Sequence, residues 1–251
     1  MKPIALQLYT VREQLKEDYT GTLKQLADIG YVGVETGLPK GKAPAEVRGM
    51  FDDLGLKIAS FGAPLPNADN VERIADTARI LGTDKLMVGS GPDRWQSLES
   101  VRQVAAEFQA AAEVARPHAL RLCCHNHWWE MQEFDGQIAY DVFMAEAPGV
   151  FGELDVYWAS NFGRIDVPQM VAKYASRLPL LHIKDGPLVK DQKHMAVGAG
   201  KMDIPAVIAA ADENVLEWLT VEIDACDGDM MTAVRESYDY LVGNGLAEGN
   251  R

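Results

Sequence analysis

The 251-residue sequence has few cysteines, few basic residues and no long apolar segment. Its cysteines, Cys123, Cys124 and Cys226, are odd in number and lie in apolar surroundings, so we expect reduced thiols rather than a disulfide framework. No run of about 20 apolar residues is present, which argues against a membrane-spanning helix. The chain enters its first apolar run without a secretion leader, so the sequence predicts a cytoplasmic protein.

Positive charge is scarce relative to negative charge. The sequence has 24 lysines and arginines against 37 aspartates and glutamates, which gives a formal net charge of −13. A surface this acidic repels phosphate backbones and anionic lipid, so we expect neither nucleic-acid nor membrane partners. A small-molecule substrate is compatible with this charge, and the sequence leaves open whether the chain forms a homo-oligomer.

Short apolar runs alternate with amphipathic helical patterns along the whole chain. The runs that predict strands are residues 4–9, 32–35, 57–61, 85–88, 121–125, 150–156, 179–183 and 218–223. The patterns that predict helices are residues 19–29, 44–54, 69–81, 97–115, 138–145, 167–175, 204–211 and 230–242. Eight such units favour an α/β fold of the (β/α)8 TIM-barrel type over a doubly wound sheet. Because no Pro-, Gly- or Ser-rich linker interrupts the alternation, we expect residues 1–251 to form a single domain.

The active site of such a barrel lies at the carboxyl ends of its strands. A buried charge at that position is costly unless it is paired or bound to an ion. One acid there is usually a helix cap or an ion-pair partner, but a set at the same end of successive strands indicates a binding site. The candidates are Gln7, Tyr9, Glu35, His125, His127, Glu130, Asp155, His182, Lys184 and Glu222.

Three of these candidates form a set of oxygen and nitrogen donors. Asp155, His182 and Glu222 end consecutive predicted strands, and strand five offers a fourth carboxylate or imidazole. Such a set suits Mn²⁺, Mg²⁺, Co²⁺ or Zn²⁺, and no thiolate lies at a comparable position. The sequence therefore predicts a divalent metal ion as cofactor and leaves its identity open.

The segment LCCHNHWWE, residues 122–130, carries two of the five histidines. Side chains two positions apart on a strand point the same way, so His125 and His127 are expected to face one pocket. Imidazole titrates near neutral pH, which suits both proton transfer and metal binding. The aromatic candidates for stacking on a substrate, with core packing as the alternative, are Trp128, Trp129, Tyr157 and Trp158.

Two glycine-containing loops, residues 89–91 and 198–200, offer backbone N–H groups to a phosphate. Neither precedes the Lys-Ser/Thr pair of a P-loop, so we interpret both as turn geometry. Arg164 and Lys201 follow strand ends but lie in no phosphate-cradling motif. The sequence therefore predicts a substrate without a phosphate group.

Seven segments of the sequence match a known family pattern. They are LQLYTVR (6–12), TLKQLADIGYVGVE (22–35), CHNHWWE (124–130), ELDVYWA (153–159), KYASRLPLLHIKD (173–185), VGAGKMDIPAVIAAA (197–211) and EWLTVEID (217–224). Through them the chain resembles the xylose-isomerase-like TIM-barrel superfamily, in the branch labelled sugar phosphate isomerase/epimerase. The resemblance runs through nearly the whole chain and is specific for the superfamily rather than for a substrate.

The resemblance implies one metal ligand from each of strands five to eight, usually Glu, Asp, His and Glu. It assigns the last three to Asp155, His182 and Glu222. Where related epimerases have the strand-five Glu, this chain has His125, and the nearest acid is Glu130. We expect Glu130 to fold back as the fourth ligand, with His125 as the alternative. A second departure is Ala199, where many relatives carry Glu.

The implied activity is that of a divalent-metal-dependent sugar isomerase or epimerase. Such an enzyme removes the proton α to a carbonyl and passes through an enediolate. The expected proton-transfer groups are His125, His127 and Glu222, and Lys184 either stabilises an oxyanion or pairs with Asp185. The residues expected to contact a small carbohydrate substrate are Gln7, Tyr9, Glu35, Trp128, Trp129, Tyr157 and Trp158.

Three other functions are compatible with the same motifs. One is a lyase or dehydratase acting on a keto-sugar or keto-inositol, similar to inosose dehydratase or a keto-glycoside β-eliminase. Another is a sugar-binding or regulatory protein on a barrel that has lost its catalysis. The superfamily also contains apurinic endonucleases, but five histidines and a net charge of −13 argue against that activity.

Overall fold

The computed structural model of the protein describes residues 1–250. Eight parallel strands form a closed barrel in chain order, with the eighth strand hydrogen-bonded to the first. Strands β1 to β8 are Lys2–Gln7, Gly33–Thr36, Lys57–Gly62, Lys85–Val88, Arg121–His125, Phe151–Asp155, Leu180–Ile183 and Trp218–Val221. Each corresponds to one of the predicted apolar runs, so the expected single-domain (β/α)8 TIM barrel is confirmed.

The helices flank the barrel and follow the predicted amphipathic patterns within a few residues. Helices α1 to α10 are Arg12–Glu17, Tyr19–Ile29, Pro44–Asp52, Val71–Leu81, Leu98–Ala115, Ala139–Glu146, Val156–Ala159, Val167–Tyr174, Ile204–Ala209 and Met230–Gly243. Helices α1 and α7 are additions that the sequence did not predict, because six and four residues are too few to show a helical period.

The helix ends follow from local chemistry. Asp166 and Asp203 each accept a backbone N–H three residues on, and a proline in the following turn fixes the backbone for the helix. Gly30 ends α2 at φ +119°, a conformation that a residue with a Cβ rarely adopts. Helix α4 begins at Val71, two residues after the predicted start, with Asn70 at the N-cap position.

Two short features lie outside the eight barrel strands. An antiparallel pair, Glu133–Phe134 with Gln137–Ile138, follows β5, and a two-residue strand, Ala247–Glu248, pairs with the first residues of β1 at the amino-terminal end. Between strands and helices lies a continuous apolar core, to which Leu6, Val34 and Leu181 contribute fully buried side chains. Within residues 1–250, no helix is long and apolar enough to cross a membrane.

An ion network closes the opposite, amino-terminal end of the barrel. The Lys85 ammonium, only 6% exposed, lies 2.8 Å from Asp84 and 2.7 Å from Glu217. Arg121 pairs with the same two acids. Burial raises the pKa of Asp84 and of Glu217, but hydrogen bonds and charge from Arg121 and Lys85 outweigh it, so both pKa values are lowered.

We expect Glu217→Gln to lower the free energy of unfolding by about 1–2 kcal/mol at pH 7. This value lies between those of buried and exposed ion pairs, because Glu217 is more than a third exposed and solvent screens its charge. A carboxyl with a lowered folded pKa stabilises the protein above its unfolded pKa of about 4, and this is lost as the pH falls through the folded value. Urea unfolding at pH 7 and pH 3 should therefore give a smaller difference at pH 3. Glu213→Gln, on an exposed acid, is the control; equal differences at both pH values would contradict the network's role.

Candidate metal and substrate site

A cavity of about 600 Å³ opens at the carboxyl ends of the strands. This volume is typical of small-ligand pockets. Its walls are formed by Gln7, Leu8, Tyr9, Gly37, Met87, His125, His127, His182, Glu222 and Asp224. Six of these were predicted from the sequence. Asp224 was missed, although it lies two residues beyond Glu222 and the alternation of a strand would have indicated it.

Four of the buried residues bring metal-ligating atoms together. His125, Asp155, His182 and Glu222 each offer one such atom, and these atoms lie within 4.8 Å of one another. Ligand bonds of about 2.0–2.2 Å place any two ligand atoms of one ion within about 4.4 Å. The spacing is therefore close to what a single divalent ion needs. We call these four residues the quartet.

Asn126 holds the end of β5 against the end of β6 through the Asp155 backbone. Its side-chain oxygen accepts the Asp155 N–H at 3.0 Å, and its nitrogen donates to the Asp155 carbonyl at 3.3 Å. This double hydrogen bond joins the ends of β5 and β6 and so places His125 beside Asp155. The Asp155 Oδ1 atom accepts the Trp158 N–H and caps α7, which leaves Oδ2 for the quartet.

The structure does not bring Glu130 into the quartet. Its Oε2 atom accepts the backbone N–H of His127 at 2.8 Å, so the carboxyl group turns back onto its own loop. Burial raises the pKa of Glu130 to about 8, only partly offset by backbone hydrogen bonds. In this geometry His125 occupies the strand-five position that we expected Glu130 to fill.

His125 ends β5 and His127 follows it by two residues; both rings are neutral at neutral pH. Burial lowers the pKa of His125 well below its usual value and that of His127 to about 4. Their rings meet edge to face with centres 4.8 Å apart. The Nδ1 atom of each is buried and has no hydrogen-bond partner within residues 1–250. Both imidazoles therefore keep a ring nitrogen available for a metal ion or a proton.

Glu35 lies beneath the quartet rather than on the pocket wall. It is fully buried, and its Oε1 atom lies 3.0 Å from Nε2 of His182. Gln7 and Ser60 donate to the same carboxylate. Glu35 therefore does not line the wall of the pocket, where a substrate contact was expected. Its carboxylate lies against the His182 ring, whose Nδ1 atom is 3.1 Å from Glu222.

A second buried acid, Glu153, lies next to Glu35 and was missed in the sequence. Its Oε2 atom is 3.6 Å from His182 Nε2 and 3.8 Å from His125 Nδ1. Burial and the charge of Glu35 raise the pKa of Glu153, whereas His182 lowers the pKa of Glu35 despite burial. Glu153 precedes Asp155 by two residues on β6, so strand alternation would have placed both carboxyl groups on the inner face.

Lys184 pairs with three carboxylates at the pocket wall. Its Nζ atom lies 2.9 Å from Asp155, 2.9 Å from Glu222 and 3.0 Å from Asp224. Burial alone would lower the pKa of Lys184, but these three acids raise it, so the side chain is an ammonium. The expected alternative, a salt bridge to Asp185, does not form.

Asp185 instead organises the glycine loop of residues 198–200. Its carboxylate accepts the backbone N–H groups of Gly198 and Gly200, both at 3.0 Å, and that of Met202. A Cβ on Gly200 would lie 2.0 Å from the same carboxylate, so only glycine fits. These N–H groups donate to Asp185 and are not open to a phosphate, which agrees with the interpretation of the loop as turn geometry.

The four predicted aromatic residues lie in three different positions. Trp129 stacks on His127 with ring centres 4.1 Å apart, and its Nε1 atom donates to the Ser90 carbonyl. Tyr157 is 1% exposed and packs in the interior, so it lines neither wall of the pocket. Trp128 and Trp158 lie farther out, at a second cavity.

The fold and the quartet define a class of protein: a TIM barrel with a buried histidine–carboxylate site at the carboxyl ends of its strands. A family model described as xylose isomerase-like TIM barrel matches residues 23–242. The chain therefore belongs to the xylose isomerase-like TIM-barrel family, as the resemblance of its motifs predicted.

Several solved structures share this fold. A sugar phosphate isomerase/epimerase from Parabacteroides distasonis ATCC 8503 is 24% identical, with a TM-score of 0.79 over 98% of this chain and 96% of that one. The 3-keto-D-glucoside 4-epimerase from E. coli is 17% identical, with a TM-score of 0.70 over 97% and 100% of the two chains. A probable 3-DHS dehydratase from Bacillus anthracis is 12% identical, with a TM-score of 0.73 over 96% and 99%. No curated protein matches the sequence.

Proposed function

We propose that the protein is a divalent-metal-dependent isomerase or epimerase of a carbonyl sugar. The observation that carries this proposal is the quartet, which lies beside neutral His127 in a cavity of about 600 Å³. The similarity in fold to sugar isomerases and epimerases supports a carbohydrate substrate.

The residues present fit a divalent ion. His125, Asp155, His182 and Glu222 would hold it through two nitrogens and two oxygens, a donor set that suits Zn²⁺, Co²⁺ or Mn²⁺. When bound, the ion would supply Lewis acidity that polarises the sugar carbonyl. His125 is favoured over Glu130 as the fourth ligand because its ring nitrogen lies within 4.8 Å of the other three ligand atoms, whereas the Glu130 carboxylate accepts the His127 N–H.

The remaining groups suit proton transfer next to a carbonyl. Neutral His127 on the pocket wall can take the proton from the carbon beside the carbonyl or return it. Burial opposes ionisation of Glu222, but Lys184 and His182 lower its pKa, so it is a carboxylate that can bind the ion. Its ionised form can also accept a proton, although the lowered pKa makes it a weak base. The Lys184 ammonium stabilises negative charge that develops on the substrate oxygen.

The proposal is tested by hydrogen exchange at the substrate carbon. Purified protein with added Mn²⁺, Co²⁺ or Zn²⁺ is incubated with a panel of ketoses and keto-glycosides in D₂O, and products are identified by NMR. We expect deuterium next to the carbonyl together with an isomer or epimer. No exchange with any substrate and any metal, in protein that binds the ion, would favour a sugar-binding role instead.

The same experiment separates a second candidate, elimination by a lyase or dehydratase. The similarity in fold to a probable 3-DHS dehydratase favours this candidate, because expulsion of a hydroxyl group begins with the same proton removal. A product that absorbs in the ultraviolet and has lost water or an alcohol would assign the protein to this class.

We predict that the preferred substrate carries no phosphate. The N–H groups of Gly198 and Gly200 donate to Asp185, and the pocket walls contain no lysine or arginine within residues 1–250. We expect kcat/KM for an unphosphorylated ketose to exceed that for its phosphate ester by at least about tenfold, since no lysine or arginine on the described wall can bind the ester and Lys184 is already paired with three carboxylates. Competition between the two substrates measures this ratio. A preference for the ester would point to Arg164 or Lys201 as phosphate ligands.

We predict that Glu35→Gln weakens metal binding without removing a ligand. Glutamine retains the shape but not the charge that fixes His182, and loss of such an outer partner lowers metal affinity by about 10–100-fold. Competition with a metal-binding dye measures the affinity. Ser60→Ala, which removes another partner of the same carboxylate, should change it much less. Equal affinity of Glu35→Gln and wild type would contradict this orienting role.

A further inference from the structure

A second cavity of about 280 Å³ lies beside the pocket and is lined by aromatic rings. We infer that it binds the second ring of a glycoside whose carbonyl sugar occupies the main pocket. This inference rests on the proposed carbohydrate substrate and narrows its class. We call this second cavity the outer compartment; its aromatic side chains are Trp128, Trp158, Phe162 and His194.

The rings form walls that suit a flat, uncharged ring. Phe162 lies 6.1 Å from both Trp128 and Trp158, measured between ring centres. Trp158 in turn meets His194 at 5.0 Å, nearly edge to face. Burial lowers the pKa of His194 to about 4, so this ring is neutral as well. Aromatic faces bind the C–H face of a sugar or another aromatic ring.

The outer compartment adjoins the main pocket. Asp224 lines both cavities. The Lys184 ammonium bonds to Asp224 and lies 5.1 Å from the centre of the Trp158 ring. A ligand that extends from the quartet toward Trp158 therefore passes this ion pair, which can bind the oxygen atoms between its two rings.

The position of Phe162 is not explained by core packing. Asn161 and Phe162 both have positive φ, 44° and 59°, which is costly for residues with a Cβ. The Asn161 side chain donates to the Met131 carbonyl and anchors the turn to the loop after β5. Phe162 nevertheless stays half-buried at the cavity edge. Strained backbone of this kind is concentrated at functional sites.

Other occupants fit less well. A protein partner needs roughly 800 Å² on each side, far more than a compartment of about 280 Å³ presents. An anionic group is disfavoured because Asp191 and Asp224 line the walls, and Lys193, which also lines them, is paired with Asp227 at 2.8 Å. One neutral ring matches both the size and the chemistry.

The test compares binding of phenyl β-D-glucoside and methyl β-D-glucoside in their 3-keto forms, which carry the carbonyl sugar, by calorimetry with Mn²⁺ present, and follows turnover in parallel by NMR. We expect the phenyl glycoside to bind at least about tenfold more tightly, since it alone fills both cavities. A disaccharide of glucose serves as a second probe and shows whether a sugar ring is accepted as well as an aromatic one. Phe162→Ala should reduce this preference at least about threefold and leave methyl glucoside binding unchanged.

Phe134→Leu, at a partly buried aromatic outside both cavities, is the matched control and should keep the preference. Equal affinity for phenyl and methyl glucosides, an equal loss for both in Phe162→Ala, or no measurable binding of either would overturn the inference. Because binding and turnover are measured separately, a retained phenyl preference in a protein without isomerase activity would reject the proposed function and keep the outer compartment. Activity on free sugars with no phenyl preference would support the proposed function and reject the outer compartment as a site for a second ring.

Discussion

His182→Ala is expected to remove the bound divalent ion and to lower kcat/KM by about 10³-fold or more. The Nδ1 atom of His182 lies 3.1 Å from Glu222, and the other ring nitrogen is held by Glu35, so the ring has one orientation. Lewis-acid activation contributes several kcal/mol to such reactions, and each 1.4 kcal/mol is a factor of about ten. Elemental analysis of protein purified without chelator measures the metal, and initial rates measure the activity.

The rest of the quartet should behave in the same way. We expect Asp155→Ala, Glu222→Ala and His125→Ala each to lose the ion. Glu130→Gln should keep it, because glutamine can still accept the His127 N–H. The control is His118→Ala, a histidine remote from the site that lies 3.9 Å from Glu72. Metal retained in His125→Ala but lost in Glu130→Gln would restore the ligand assignment that the sequence favoured.

The choice between His125 and Glu130 shows where sequence reasoning ended. Strand alternation and the parallel barrel were enough to bring Asp155, His182 and Glu222 to one place, because each lies within one residue of the end of its strand. Glu130 follows a turn whose direction depends on one hydrogen bond to His127 and on the Asn126 clamp. No periodic pattern encodes such a turn, so the position of the Glu130 carboxyl group could not be predicted from the sequence.

Glu35 illustrates a second limit of the same kind. It ends β2 as predicted, but the pairing of β2 with β3 shifts register between Val34 and Glu35. Such an irregularity redirects a side chain relative to a regular strand. Glu35 therefore points to Ser60 and His182 in the layer below the pocket. A glutamate near the end of β2 indicated a functional role, but the strand pairing decides how deep in the barrel the Glu35 carboxylate lies.

His127→Asn is expected to keep the metal and lower kcat by about 10²–10⁴-fold, the usual loss when a proton-transfer group is removed. His127 is outside the quartet, so ligand loss does not explain such an effect. Asparagine preserves the polar, planar shape against Trp129 but does not accept a proton at neutral pH. Deuterium exchange next to the carbonyl should fall together with kcat, since both depend on the same proton.

Trp129→Phe provides the matched control, because it retains a ring against His127 while removing the hydrogen bond to Ser90. We expect it to change kcat far less than His127→Asn. If His127→Asn kept full exchange and lost only isomer formation, His127 would act after the first proton transfer, and Glu222 would be the base that removes the proton. If both exchange and kcat were unchanged, proton transfer would rest on Glu222 and other carboxylates of the pocket, and the imidazole would serve only to hold Trp129.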